Sequence, residues 1–195
     1  MGKDALLVVD VQNDFCPGGT LAVPEGDKVV PVLNRYIQKF ASARLPIFAS
    51  RDLHPLVTKH FKAYGGPWPP HCVQGTKGAE FHPALSLPKE AVIVSKGMDP
   101  EKESYSAFQA YASNGTEFSV LLRKRGIQRL FVGGLATDYC VRCSILDAIR
   151  EGFETVILAD AVRGVEVKVG DSEKALREMI QAGAKQIRLQ HLDLR

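Results

Sequence analysis

The sequence predicts an α/β protein: a doubly wound, three-layer α/β/α fold built on a six-stranded, mainly parallel sheet. Two observations lead to this prediction. Several short apolar runs lack a clean polar–apolar alternation, as expected of strands that are buried on both faces. Helical patterns lie between several of these runs, and strands that alternate with helices form parallel sheets through right-handed crossovers.

The predicted strands are rich in Val, Ile, Leu and Phe and occupy residues 5–9, 46–49, 91–94, 130–132, 155–159 and 186–189. The first predicted helix, 28–43, repeats its apolar residues at close to the 3.6-residue period of an α-helix. Three further helices are predicted at 116–125, 140–151 and 172–182, directly before Gly126, Gly152 and Gly183. Glycine is favoured just past a helix because it adopts the left-handed conformation without steric cost.

Two segments interrupt this alternation of strands and helices. Residues 11–27 are rich in Gly and Pro, and residues 51–90 combine many prolines with most of the histidines. A connection as long as the second is usually functional or disordered in a compact domain. Its aromatic residues argue against disorder, so we expect it to carry function. Because the sequence contains no repeat or linker, it predicts a single domain over residues 1–195.

Composition narrows the classes of partner. The net charge is only +3, from 25 Lys and Arg against 22 Asp and Glu, and the charges are scattered. Nucleic-acid binding usually requires a clustered basic patch, so we expect no nucleic-acid partner. No apolar run approaches membrane-spanning length, and the N-terminus leaves no room for a signal peptide. A cytoplasmic protein without a membrane partner is expected, and a homo-oligomer is left open.

Polar residues follow four of the predicted strands, where ligands bind in open parallel sheets. They are Asp10 after the first strand, Arg51 and Asp52 after the second, Lys96 after the third, and Cys140 after the fourth. Cys140 lies at a predicted helix start, where unpaired N–H groups and the helix dipole favour a thiolate. A cysteine nucleophile needs a base and gains from a nearby cation. Asp10 and Lys96 fit these roles, but a Cys–His dyad with one of the loop histidines stays open.

A second group of polar residues has the composition of a metal site. Asp52 and His54 are separated by one residue at a strand end, and His60 and His71 follow in the same long segment. Carboxylate and imidazole ligands suit zinc, iron or manganese. The alternative is that these are loop histidines with ordinary hydrogen bonds. Cys72, next to His71, is interpreted as structural.

Five motifs contain most of these residues. They are VDVQNDF at 9–15, RDLHP at 51–55, WPPHCVQGT at 68–76, KG at 96–97 and GGLATDYCV at 133–141. In this order they resemble the nicotinamidases of the isochorismatase-like cysteine hydrolase superfamily, and the resemblance extends from residue 5 to about residue 165. The Asp-x-His and His-Cys-Val elements are specific to the nicotinamidase branch.

The resemblance implies roles for individual residues. The catalytic residues would be Cys140 as nucleophile, Asp10 as general base and acid, and Lys96 as third member. The backbone N–H groups of Ala136 and Cys140 would form the oxyanion hole, with a cis peptide between Leu135 and Ala136. The metal ligands would be Asp52, His54 and His71, with His60 as a fourth ligand found in part of the family. The residues lining the pyridine pocket would be Phe15, Leu21, Trp68 and Tyr105.

The resemblance also implies the reaction: hydrolysis of nicotinamide to nicotinate and ammonia through a cysteine thioester, as in NAD salvage. One divalent metal is expected, zinc first, with iron or manganese as alternatives. In this interpretation the histidines bind metal instead of serving as the base for Cys140. A related amidase acting on pyrazinamide or another small amide is the alternative activity. A catalytically silent binding or redox protein, with Cys140 and Cys143 as a redox pair, is the alternative of another class.

Overall fold

The computed structural model describes residues 3–194 and contains one seven-stranded sheet in the order β4-β3-β2-β1-β5-β6-β7. The strands are β1 (Lys3–Val9), β2 (Ile47–Asp52), β3 (Val92–Lys96), β4 (Tyr111–Ala112), β5 (Ile127–Leu135), β6 (Glu154–Arg163) and β7 (Lys185–Ile187). All neighbouring pairs are parallel except β3 and β4, which are antiparallel. The α/β class and the mainly parallel sheet are therefore confirmed.

The predicted number of strands is wrong by one. The additional strand, β4, has only two residues and pairs with Val94 and Ser95 at one edge of the sheet. A strand of this length buries too little surface to leave an apolar run in the sequence, and Tyr111 is exposed. The six predicted strands all form, most of them longer than the apolar runs that predicted them.

The four helices are α1 (Val29–Ser42), α2 (Phe118–Lys124), α3 (Arg142–Arg150) and α4 (Asp171–Gln181). Each lies within a predicted helix or within one residue of it. The predicted helix at 140–151 differs at its start, because Thr137–Val141 forms a π-helical turn before α3 begins. Single π turns inside helices occur frequently at functional sites.

The sheet lies between two hydrophobic layers, as the three-layer prediction requires. Alternate residues of β1 point to opposite faces: Leu6 and Val8 enter one core, and Leu7 and Val9 enter the other. Helix α1 packs on the first face through Leu33 and its neighbours, while α2, α3 and α4 pack on the second. No helix in the part of the chain that the structure describes is long and apolar enough to cross a membrane.

The central strands β1 and β5 approach each other closely near their carboxyl ends. Gly134 has a φ of 128°, and a Cβ atom there would overlap the backbone of Val9. Only glycine fits, because the position combines a left-handed φ with no space for a side chain. This close contact fixes where the chain leaves β5 and enters the turn that carries Cys140.

Candidate active site

Residues from four strand ends meet at the carboxyl edge of the sheet. Asp10 follows β1, Asp52 ends β2, Lys96 ends β3, and Cys140 follows β5 in the π turn. The Lys96 Nζ atom lies 2.9 Å from Asp10 Oδ2 and 3.5 Å from Cys140 Sγ, and it also pairs with Asp52 Oδ1. It donates a further hydrogen bond of 3.3 Å to the Ser104 carbonyl. The convergence of these residues, predicted from their positions after strands, is thus observed.

Asp10 is fully buried and has a left-handed backbone conformation, with a φ of 48°. The Ser50 hydroxyl donates a 2.7 Å hydrogen bond to its Oδ1 atom, while Oδ2 faces Lys96. Burial raises the pKa of Asp10, and the charge of Asp52 adds to the rise, whereas Lys96 and Ser50 oppose it. Asp10 therefore binds a proton more readily than an exposed aspartate, as a proton acceptor for a thiol must.

Lys96 stays positively charged although its side chain is inaccessible to solvent. Burial alone would lower its pKa, but Asp10 and Asp52 outweigh that effect and hold the pKa well above the usual value. The same pairing acts on Asp52 in the opposite direction. Burial raises the pKa of Asp52, yet the Lys96 ammonium and His54 bring it below its ordinary range. The Lys96 ammonium thus keeps Asp52 ionised next to the histidines.

The expected thiolate form of Cys140 is not what the structure favours. Burial raises the pKa of the Cys140 thiol well above its usual value, Lys96 opposes the rise, and Asp10 and Asp52 add to it. The helix-start argument fails because Cys140 lies in a π turn and is only 6% exposed, with its sulfur within 4.8 Å of the Asp10 and Asp52 carboxylates. This direction of the shift favours the thiol over the thiolate, so the reaction requires a neighbouring base for the thiol proton.

The backbone just before the cysteine has an unusual conformation. The Leu135–Ala136 peptide bond is cis, as the family resemblance implies. The Ala136 carbonyl then accepts hydrogen bonds of 3.1 Å from the N–H groups of Tyr139 and Val141, which closes the turn. Ala136 and Cys140 lie on the wall of the same pocket.

The three predicted histidine ligands form a buried cluster. Ligand atoms of His54, His60 and His71 lie within 4.8 Å of one another. Asp52 Oδ2 is 3.8 Å from His54 Nε2, which brings the carboxylate to the same place. The structure therefore unites all four residues of the predicted metal site, including His60.

Hydrogen bonds outside the cluster orient two of the rings. His54 Nδ1 lies 3.0 Å from the Gly97 carbonyl, and His71 Nδ1 lies 2.8 Å from the Pro69 carbonyl. An Nδ1–H that donates to a carbonyl leaves the Nε2 lone pair available for a metal. This arrangement is typical of metal-binding histidines.

The donor atoms of this cluster fit a divalent cation. His54 Nε2 and His60 Nδ1 are buried and have no hydrogen-bond partner among residues 3–194. Burial, with contributions from His54 and His71, lowers the pKa of His60 to about 4, so its imidazole is neutral at pH 7. Neutral imidazoles and a carboxylate suit zinc, iron or manganese, and a metal would satisfy buried polar atoms that are costly to leave unpaired.

One pocket is lined by residues of this cluster and by the cysteine. All four predicted pocket residues line it, together with groups from both centres: Phe15, Leu21, Trp68, Tyr105, Asp52, His60, His71 and Cys140. The Trp68 indole N–H donates a 2.9 Å hydrogen bond to the Tyr105 hydroxyl, which fixes two aromatic walls relative to each other. The nucleophile and two of the histidines, His60 and His71, therefore line the same pocket.

The sequence did not identify two further residues of the pocket wall. Tyr139 packs edge-on against Trp68, with ring centroids 5.0 Å apart, and Val165 lines the pocket from the loop after β6. The position of Tyr139 directly before Cys140 could have indicated that it lies near the pocket. No feature of the sequence indicates this for Val165. The carboxylate of Asp138, two residues before Cys140, accepts 2.9 Å hydrogen bonds from the N–H groups of Val165 and Glu166.

The alternatives that involve other cysteine chemistry find no support in the geometry. All four cysteines are free, so Cys140 and Cys143 do not form a disulfide. The histidines of the long loop gather around Asp52, while the sulfur contacts Lys96, which argues against a Cys–His dyad. Cys16 and Cys72 are buried in the core, in agreement with structural roles.

Comparisons with known proteins agree with this geometry. The isochorismatase domain model matches residues 4–191. The nicotinamidase of Escherichia coli is 42% identical over 203 residues, covering 94% of each chain. The nicotinamidase/pyrazinamidase of Mycobacterium tuberculosis is 40% identical over 178 residues, covering 90% of this chain and 93% of its own.

A solved structure is similar over nearly the whole chain. The pyrazinamidase of Pyrococcus horikoshii, determined in complex with zinc, superimposes with a TM-score of 0.89 at 49% sequence identity. The match covers 96% of this chain and 99% of the Pyrococcus chain.

Proposed function

This chain belongs to the isochorismatase family, and we propose that within it the protein is a nicotinamidase that converts nicotinamide and water to nicotinate and ammonia. It is a hydrolase of carboxamide C–N bonds. One observation supports the choice of substrate above all: a single pocket is lined by Cys140 and by His60 and His71 of the histidine cluster. Nicotinamide carries its carboxamide on the carbon meta to the ring nitrogen of one flat ring, so the two groups can face the cysteine and the histidines at the same time.

Four residues would hold the metal: Asp52, His54, His60 and His71. When bound, a divalent metal supplies an electrophilic site for the lone pair of the pyridine nitrogen, and we propose zinc, with iron or manganese as alternatives. The aromatic walls formed by Trp68 and Tyr105 hold the ring plane, and Phe15 packs near His71 with ring centroids 5.5 Å apart. The carboxamide is thereby directed at Cys140.

The first half of the reaction forms the thioester. Asp10 accepts the proton of the Cys140 thiol, and the sulfur attacks the carboxamide carbon. Lys96, next to both groups, compensates the negative charge that remains in the buried site. Backbone N–H groups of Ala136 and Cys140 stabilise the oxyanion, a contribution of roughly 3 kcal/mol for each donor. The C–N bond then breaks, and ammonia leaves with the proton that Asp10 returns.

The second half of the reaction releases the acid. A water molecule gives a proton to Asp10 and attacks the thioester carbon. The C–S bond breaks, nicotinate leaves, and the sulfur regains the proton from Asp10. The raised pKa of Asp10 supports this role, because a carboxyl group that exchanges protons twice per cycle works best with a pKa closer to neutrality.

A cysteine pair on one stretch of chain provides a matched test of this mechanism. Cys140→Ala should lose ammonia release from nicotinamide by at least about 1000-fold, since the nucleophile is removed. Cys143→Ala should retain activity, because Cys143 lies one turn further along and lines no part of the pocket. The measurement is enzyme-coupled detection of ammonia. Ammonia release by Cys140→Ala at the wild-type rate would refute the thioester mechanism.

Substrate analogues separate the proposed activity from a broader amidase. Benzamide has the shape of nicotinamide but lacks the ring nitrogen, so we expect kcat/KM at least about 100-fold lower. Pyrazinamide keeps a nitrogen at the same position and should be hydrolysed, in line with the pyrazinamidase names of two relatives. Equal rates for benzamide and nicotinamide would favour the alternative of a small-amide hydrolase.

The proposal extends to the whole chain, residues 1–195, as one catalytic domain. The four free cysteines support the expectation of a reducing, cytoplasmic compartment.

A further inference from the structure

Asp14 is a buried carboxylate that has no role in the proposed mechanism. It lies in the short 3-10 turn Asn13–Phe15 and is 8% exposed. A buried charge is costly unless its hydrogen bonds are satisfied, so the partners of Asp14 indicate why it is there.

Asp14 connects three segments of the chain. Its Oδ2 atom accepts a 2.7 Å hydrogen bond from the N–H of Cys72, and its Oδ1 atom accepts one of 3.2 Å from Thr20. Its own carbonyl accepts a 3.0 Å hydrogen bond from the N–H of Leu21. A carboxylate offers acceptors on both oxygens, whereas an amide offers only one, so this position favours Asp over Asn.

The bond to Cys72 reaches the histidine cluster through the backbone. Cys72 has a left-handed φ of 46°, a costly conformation for a residue with a side chain. Its carbonyl accepts a 2.9 Å hydrogen bond from the N–H of His54, while its N–H donates to Asp14. Cys72 is therefore held on both sides, and His71 is covalently attached to it. The position of the His71 ring relative to His54 depends on this arrangement.

Asp14 is also connected to two residues that line the pocket. Phe15 follows Asp14 directly, Leu21 is bonded to its carbonyl, and both line the pocket. Behind the carboxylate lies Gly78, where a Cβ atom would overlap the Asp14 side chain. The carboxyl group thus fits a space that exists because residue 78 has no side chain.

We propose that Asp14 is a positioning residue that keeps the His71–Cys72 segment and the pocket residues Phe15 and Leu21 in register. This inference rests on the proposed function, because it assigns Asp14 a role in the metal centre and in nicotinamide binding. Asp14 has no hydrogen bond to Cys140 or to the histidine rings in the contacts of residues 3–194. It acts through the backbone of its neighbours.

Two variants perturb the contact in different ways. Asp14→Asn keeps the shape but replaces one acceptor by a donor that faces an N–H group. Gly78→Ala keeps the carboxylate and pushes it with a new methyl group. The matched control is Asp138→Asn, because the Asp138 carboxylate also accepts two backbone N–H groups beside the pocket, but from a loop without metal ligands.

The readout is the affinity of the metal-free protein for zinc alone, measured by competition with a chromogenic chelator. We expect zinc affinity to fall about 10- to 100-fold in Asp14→Asn and Gly78→Ala, as for other residues that support metal ligands from outside. Asp138→Asn should bind zinc like the wild type. At saturating zinc, Asp14→Asn should show a KM for nicotinamide raised several-fold with kcat within about twofold of the wild type.

The possible results separate the two proposals. Wild-type zinc affinity in folded Asp14→Asn and Gly78→Ala would overturn the positioning role and leave the nicotinamidase assignment intact. A wild-type protein that hydrolyses nicotinamide but binds no zinc, iron or manganese would overturn the metal centre and this inference with it. An equal loss of zinc affinity in Asp138→Asn would also overturn the inference, because the effect would then be a general consequence of loop loosening.

Discussion

Ser50 adjusts the proton affinity of Asp10 through one buried hydrogen bond of 2.7 Å. The hydroxyl stabilises the ionised carboxylate and thereby lowers the pKa of Asp10, against the larger effect of burial. In Ser50→Ala the pKa of Asp10 should therefore rise further. Because the base must be ionised to accept the thiol proton, the acidic limb of the pH profile of kcat/KM should move to higher pH. At neutral pH, activity should fall by about 10-fold, the size of a lost hydrogen bond to a charged group.

Ser95→Ala is the matched control for Ser50→Ala. Ser95 is also a buried serine, on strand β3, but its hydroxyl accepts a hydrogen bond from Arg51 instead of contacting Asp10. The acidic limb of the kcat/KM profile of Ser95→Ala should match that of the wild type. Superimposable pH profiles for Ser50→Ala and the wild type would show that this hydrogen bond does not control the base.

At the scale of single residues, the sequence predicts which side chains meet but not their protonation. Asp10, Lys96 and Cys140 can be placed together because each follows a strand of a parallel sheet. The state of Cys140 cannot be predicted in this way, because burial and the two neighbouring carboxylates determine it. Those factors arise only when distant segments pack together.

Gly134 controls the junction between strand β5 and the nucleophile turn. In Gly134→Ala the new Cβ would overlap the Val9 backbone, and φ at this position is 128°. The chain must shift, so we expect a loss of stability on the order of 3 kcal/mol or more, together with loss of activity. Urea unfolding measures the first effect and ammonia release the second.

Gly126→Ala separates steric overlap from backbone strain. Gly126 also has a left-handed φ, of 67°, but a Cβ there would meet no atom within 4 Å. This variant should lose only about 1 kcal/mol, the cost of the conformation alone, and keep its activity. If Gly134→Ala were no less stable than Gly126→Ala, the close approach to Val9 would not be a constraint.

At the scale of elements, the long periodic segments are predictable and the short irregular ones are not. Apolar runs and terminal glycines identify six strands and four helices. Strand β4 escapes prediction because its pairing is decided by the neighbouring strand β3 rather than by its own two residues. The π turn at Thr137–Val141 escapes because an extra residue in a helical turn leaves the apolar pattern almost unchanged.

At the scale of the molecule, the histidine cluster brings together three separate positions of the long segment between β2 and β3. His54 follows β2, and His60 and His71 come from the loop between β2 and β3. A metal bound to the folded state alone should stabilise the whole chain. At a free zinc concentration of 100 Kd the gain is about 2.7 kcal/mol, which corresponds to a Tm increase of roughly 5–10 °C.

Thermal unfolding of the metal-free protein, with and without added zinc, measures this stabilisation. His71→Ala should show little or no increase in Tm, since one ligand is missing. His82→Ala should keep the increase, because His82 lies outside the cluster and accepts a hydrogen bond from the Ala84 N–H. A similar response of His71→Ala and the wild type would mean that zinc binds elsewhere.

The metal ligands illustrate how far a sequence specifies a site formed by a loop. The Asp-x-His spacing predicts two ligands, and the family resemblance supplies His71 and His60. What the sequence does not reveal is the support around them, such as the Gly97 and Pro69 carbonyls that orient two rings. Backbone carbonyls leave no trace in residue identity, so such contacts become visible only in the structure.

The strand order has a consequence for the timing of synthesis. Strand β1 pairs with β2 on one side and with β5 on the other, and β5 lies much later in the chain. A nascent chain that has been synthesised as far as the end of β3 already contains the base, the lysine and every predicted metal ligand. One edge of β1 is still unpaired at that point. The ribosome must deliver β5 to close that edge, and Cys140 arrives with it. The order of the chain therefore supplies the reactive thiol after the other catalytic residues, together with the strand that pairs with the free edge of β1.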